Sequence, residues 1–136
     1  MADLSITAAN VVPQSGAITV DGTFGATIVA GDALYRDASD NKFKKADANL
    51  SAAAAVFAGL ALNGGGDGQP GKIITEGDVV IGSGFTVGQV IVLSATAGKL
   101  CPVADLATGM YVNVVGVMIS ATTLRMRPLP SGVAVP

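Results

Sequence analysis

The chain has 136 residues, half of them apolar, with 13% charged residues, a net charge of −2 and no histidine. That length supports one domain with a real core, and the missing imidazole excludes the usual serine and cysteine triads, histidine-built zinc sites and the commonest general base. Eight basic residues against ten acidic ones, with no cluster beyond Lys42, Lys44 and Lys45, argue against nucleic-acid binding.

Only Phe24, Tyr35, Phe43, Phe57, Phe85 and Tyr111 are aromatic, so the core has to be assembled from Ala, Val, Ile and Leu. The charged fraction falls well short of the quarter or so typical of soluble domains, which suits a protein partly covered by other subunits. Met1 to Ala8 lacks the basic and apolar regions of a signal peptide, and no apolar run approaches the roughly 18 residues of a membrane span. The expected site of synthesis is a cytoplasm, with no membrane partner.

Read in chain order, the signals are those of strands. Leu4, Ile6 and Ala8 alternate with polar residues, as do Ile18 and Val20, then Phe24, Ala26 and Ile28. Pro13 to Gly16 interrupts them, which sets residues 1–16 apart as an extended N-terminal arm free to add a strand to another subunit. Leu34 and Tyr35 begin the next strand, Asp37 to Asn41 is a turn, and Phe43 to Lys45 returns. Asn49 or Ser51 caps one short helix over Ala52 to Ala55, and Phe57 to Leu62 resumes an extended run. The five glycines of Asn63 to Gly71 mark a loop. Ile73 and Ile74 lead to a turn at Glu76 to Asp78, followed by Val79 to Ile81. Gln89 to Leu93, Leu100 to Val103 and Tyr111 to Ile119 are strands. The closing strand sets Leu124, Met126 and Pro128 against Arg125 and Arg127, and residues 129–136 form a proline-containing tail.

Two of these stretches, residues 31–62 and 88–119, align without a gap: Gly31 on Gly88, Lys42 on Lys99, Gly59 on Gly116, at a constant offset of 57. The expected architecture is therefore mostly β, a small β-barrel or β-sandwich over residues 17–128 built from a duplicated β module.

Patterns that could carry chemistry are sparse. Cys101 stands before Pro102 with no histidine partner and reads as a buried, inert thiol. The loop around Asp67 has one acid where calcium needs several ligands, and Gly82, Gly84 and Gly88 lack dinucleotide-binding spacing. Carboxylate chemistry would fall to Asp32, Glu76 and Asp78, all at strand starts. Lys42 and Lys99 each follow a hairpin turn, the position at which lipoyl and biotinyl carrier domains present their modified lysine, yet neither flanking sequence fits those families. No catalytic, cofactor-binding or metal site is expected.

A resemblance runs through the chain. Ala8 to Val12, Gly25 to Gly31, Leu34 to Asp37, Phe57 to Ala61, Thr86 to Gly88, Leu93 to Gly98 and Ser131 to Val135 occur in an order that resembles the capsid decoration, or cement, proteins of tailed bacteriophages. The resemblance implies a structural virion protein with no catalytic residues, bound to the outer surface of the shell where coat subunits meet. Its implied partners are the major capsid protein and further copies of itself, a trimer before a dimer. The expected contact residues are Leu4, Ile6, Val11 and Val12 of the arm, with Arg125 and Arg127 of the last strand. A head-fibre or receptor-binding module is the alternative, weakened by the shortage of aromatic platforms for sugars.

Overall fold

The computed structural model describes residues 3–136; the first two residues of the expected arm lie outside them. Among the described residues ten strands make up the fold: β1 (Val12–Pro13), β2 (Ile18–Thr23), β3 (Ala33–Arg36), β4 (Phe43–Lys45), β5 (Gly59–Ala61), β6 (Pro70–Val80), β7 (Val90–Leu93), β8 (Leu100–Pro102), β9 (Tyr111–Met118) and β10 (Thr123–Ala134). They pair antiparallel in one sheet, in the order β4-β3-β5-β6-β10-β9-β7-β8, curled into a half-barrel, with β1 and β2 on the remaining edge of β6.

The two ends of that order are built alike. Leu34 faces Lys45 and Arg36 faces Phe43 between β3 and β4, while Ile91 faces Pro102 and Leu93 faces Leu100 between β7 and β8. The next strand follows suit, with Leu34 opposite Gly59 and Ile91 opposite Gly116. β6 and β10, the longest strands, meet in the middle through Leu124 opposite Val79 and Arg125 opposite Asp78.

The core occupies the concave side in two clusters. One gathers Leu60, Ile74, Val79, Ile91, Leu93, Leu100, Met118, Leu124 and Met126; the other packs Phe24, Ile28, Leu34, Phe43, Ala61 and Ile73. With few aromatics, close packing needs strands to approach closely, and glycines at Gly59 and Gly116 permit it, while Gly71 makes room for the Phe24 ring.

Several expectations are corrected. The turn read at Glu76 to Asp78 is the middle of β6. Gly77 takes a φ of +112° there, and a Cβ on it would stand 2.7 Å from Ala17 Cα, so glycine is required where β6 passes the β1–β2 connection; the register shift against β2 falls just before it, at Thr75. The helix over Ala52 to Ala55 is a single turn: Ser51 Oγ accepts the Ala54 N–H at 3.1 Å and the Ser51 carbonyl accepts that of Ala55. It stops because Phe57 has to enter the core, and one turn does not recover the cost of nucleating a helix. The helical elements among the described residues are two 3-10 turns, Ala8–Asn10 and Val103–Asp105.

Most of the expected tail belongs to β10, where Leu129 faces Val114 and Ala134 faces Tyr111. Register shifts after Met126 and after Pro130 accommodate prolines that cannot donate to a ladder. The N-terminal segment is not a free arm. The Leu4 N–H donates to the Leu100 carbonyl at 2.8 Å, that of Thr7 to Ile81, and Leu4, Ile6 and Val11 pack on the core of their own chain.

Candidate interaction face

Alternation along a strand sends neighbouring side chains to opposite faces. Val79, Leu124, Met126, Met118 and Ile91 are buried, which places Val80, Arg125, Arg127, Val117 and Val90 on the convex side. Cross-strand pairing then aligns them in rows. Val12, Val80, Thr123 and Ile119 cross the sheet together, Val12 half exposed and Ile119 39% exposed. The adjacent row runs Asp78, Arg125, Val117, Val90. Beyond it, Ile18 lies opposite Glu76, which pairs with Arg127.

The arginines of this face are occupied. Arg125 donates from Nε to Asp78 Oδ1 at 2.9 Å and from Nη2 to Oδ2 at 3.1 Å, a two-pronged geometry that a lysine cannot make. Arg127 Nη1 donates to Glu76 Oε1 at 3.3 Å. Elsewhere Lys42 pairs with Asp67, Lys44 with Asp37 and Asp40, Lys45 with Asp32, and Lys72 with Asp21. Only Arg36 and Lys99 lie outside the ion pairs of the described residues. The convex face is thus apolar at its margins and charge-neutralised along its centre. Such a face suits contact with another protein, since interface cores favour apolar groups and arginine over unpaired charge.

The hydrogen bonds of Arg125 hold the Asp78 carboxyl below the usual carboxylate range, and those of Lys44 and Ser39 do the same for Asp37. A carboxylate with a depressed folded pKa contributes stability that is complete above its unfolded value, about 3.9, and lost as pH falls through the folded one. The urea midpoint is therefore expected to hold from neutral pH to about pH 4 and to fall below it. An Asp78→Asn chain should show a smaller acid-induced drop than the wild type, and an equal drop would remove Asp78 from this account. The effect is modest because solvent and salt screen these exposed pairs.

The structure distributes the sequence-predicted contact residues unequally. Val12, Arg125 and Arg127 lie on the convex face, whereas Leu4, Ile6 and Val11 turn inward. Val117, Ile119, Val80 and Val90 complete the face and were not singled out from sequence, although Val117 and Ile119 flank the buried Met118 in alternation.

Most of the residues weighed for chemistry have structural partners. Asp32 is buried and accepts the Val29 N–H at 2.9 Å, while Glu76 and Asp78 hold the two arginines. Lys42, at the carrier-like hairpin position whose flanks do not fit a carrier domain, sits 3.1 Å from Asp67, and Lys99 is exposed. Cys101 lines a cleft of about 260 Å³ with Asp3, Ser94, Thr96, Asp105 and Met110. Burial and the neighbouring carboxylates of Asp105 and Asp3 push its thiol up to about 11, so it stays protonated and weakly nucleophilic at neutral pH. Among the described residues no three of His, Cys, Asp or Glu converge to hold a metal ion, and no helix is long and apolar enough to cross a membrane. No protein-family model matches the chain, and no curated protein does.

Proposed function

We propose that this chain is a structural virion protein, a decoration protein that docks on the exterior of a tailed-phage capsid and stabilises the assembled shell. The observation that carries the reading is the convex face, with Val12, Ile18, Val117 and Ile119 exposed around arginines already neutralised by Asp78 and Glu76. A partner covering that face gains apolar burial without leaving a charge unpaired. The order of short motifs that resembles decoration proteins supports the same role and supplies the partner, the major capsid protein.

The matching registers at the two ends of the sheet support a duplicated β module behind this scaffold. Its role is to hold a broad face rigid, without catalytic groups or cofactors. Binding preferentially to the assembled lattice draws the shell equilibrium toward that state. Repeated weak contacts over many copies sum to a large effect, and linking copies in a trimer adds effective concentration. On this reading the chain is made in the host cytoplasm and resides on the capsid exterior.

The test uses the double variant Val117→Asp with Ile119→Asp, positions that are exposed and outside the core. Sedimentation with undecorated shells is expected to show occupancy reduced at least about tenfold, with an unchanged circular dichroism spectrum, because charge without a partner is placed in a desolvated contact. Wild-type occupancy should change little between low and high salt, since the arginines of the face carry their own counter-charges. Full occupancy by the double variant would remove the convex face as the docking surface.

A further inference from the structure

The edge of β8 is covered by a piece of chain from far away in sequence, and the opposite end of the sheet shows what belongs there. At the β4 edge, the Phe43 carbonyl accepts the N–H of Gly25 at 2.8 Å, and Phe24 forms a bridge with Phe43. At the β8 edge the corresponding carbonyl is that of Leu100, which accepts the N–H of Leu4, also at 2.8 Å. The first position is filled from the segment leading into β3. The second is filled by the N-terminus, 91 residues from the Ser94 hydroxyl that donates to Asp3.

The seat has three features that recognise the segment. The Asp3 carboxylate accepts from Ser94 at the mouth of the cleft that holds Cys101. Leu4 supplies a single main-chain hydrogen bond to β8 and packs on the main core. Ile6 rests on Gly31, where a Cβ would stand 2.5 Å from Ile6 Cγ2; the aligned Gly88 has open space instead. Immediately after residues 3–7 come Ala8, Ala9 and Asn10, all exposed, in a 3-10 turn with no side-chain cap.

We propose that the β8 edge is a strand-acceptor site for the sequence Asp-Leu-Ser-Ile-Thr, occupied by the chain's own residues 3–7 and exchangeable with the same segment of a second copy. Every copy carries both the slot and the segment that fits it, so exchange keeps each contact just described and requires only the exposed link at residues 8–10 to take a new path. An arm that leaves its seat to reach a neighbour would otherwise expose a free edge, the cleft and the apolar side chains of Leu4 and Ile6 to water. Exchange removes that cost. The inference rests on the reading of this chain as a self-associating protein, but its test contains no shells and so stands or falls apart from shell binding.

Because Asp3 and Cys101 line one cleft, a thiol placed at the first position reports the seat directly. A chain carrying Asp3→Cys is expected to form an internal disulfide on mild oxidation. A chain carrying both Asp3→Cys and Cys101→Ser cannot, and neither can the wild type with its single cysteine. When those two are unfolded, mixed, refolded and oxidised, a covalent heterodimer joining the introduced thiol to the wild-type Cys101 is expected by intact mass. Excess synthetic peptide of residues 2–7 should suppress it. Heterodimer absent while the single variant closes its internal bridge would overturn exchange, and failure of the internal bridge would overturn the slot itself. An independent readout in the full chain is iodoacetamide labelling of Cys101. Leu4→Asp should accelerate it about tenfold by opening the slot, and the peptide should slow it again; an unaltered rate would also overturn the assignment.

Discussion

Gly116→Ala is expected to abolish cooperative folding, or to reduce stability by about 3 kcal/mol or more, the range reserved for defects that the surroundings cannot absorb. Gly116 lies in β9 between Ile91 of β7 and Met126 of β10. A Cβ built on it would stand 1.9 Å from the Arg125 carbonyl oxygen and 3.0 Å from Met126 Cα. Both obstacles are backbone, so no side chain can rotate away, and relief requires β9 and β10 to separate at the centre of the sheet. Gly59 occupies the matching position in β5, where a Cβ would be 2.4 Å from the Ile74 carbonyl oxygen, and Gly59→Ala should be similarly harmful. Gly66→Ala serves as the control, because the nearest atom to its Cβ is 3.9 Å away. Urea unfolding followed by circular dichroism measures all three. A Gly116→Ala midpoint equal to that of Gly66→Ala would mean that the close approach of β9 to β10 is misplaced.

Phe24→Ala is the second large effect, expected to cost about 3–5 kcal/mol from lost burial and the cavity left behind. Phe24 is fully buried in the smaller cluster with Ile28, Leu34, Phe43, Ala61 and Ile73. Its ring fills the space over Gly71, where a Cβ would stand 2.3 Å from Phe24 Cε1, and it also approaches Gly65. The glycines that accommodate the ring cannot fill the void. Hydrogen exchange should report the loss locally first, with amides of Phe43–Lys45 and Gly65–Gly71 opening before those of β7 and β9. A loss below about 1 kcal/mol would show that the ring is not an anchor of this cluster.

Alternation was a sufficient guide to most strands. Ile18 to Asp21, Phe43 to Lys45, Val90 to Leu93 and Leu124 to Arg127 fall in strands where apolar and β-branched residues predict them. Alternation misleads at Leu4 to Ala8, which holds no strand, and at Phe24 to Ile28, which holds only isolated bridges. The other errors share a cause. Gly77 between Glu76 and Asp78 has the composition of a turn, and only the pairing of β6 with β1 and β2 along one edge and with β10 along the other keeps it within a continuous strand. Ser51 does cap the alanines after it, but capping ends after one turn because Phe57 belongs in the core. Local propensity reports what a segment can do alone, and tertiary pairing decides between options of similar free energy.

The interaction face shows the same division. That Arg125 and Arg127 project from one side of a strand follows from a period of two, and the sequence determined it unaided. That they meet Asp78 and Glu76, and that Val117 stands beside Arg125, depends on the register of residues dozens of positions apart. The fate of the N-terminus was likewise outside the reach of sequence. Leu4 and Ile6 announce an extended apolar segment in need of cover, but an unpaired strand edge near Leu100 that could accept it exists only after β7, β8 and β9 have assembled. Hydrophobic pattern is a property of neighbours in the chain and survives in one dimension, whereas edges, slots and neutralised faces are relations among strands that become neighbours only when the chain folds.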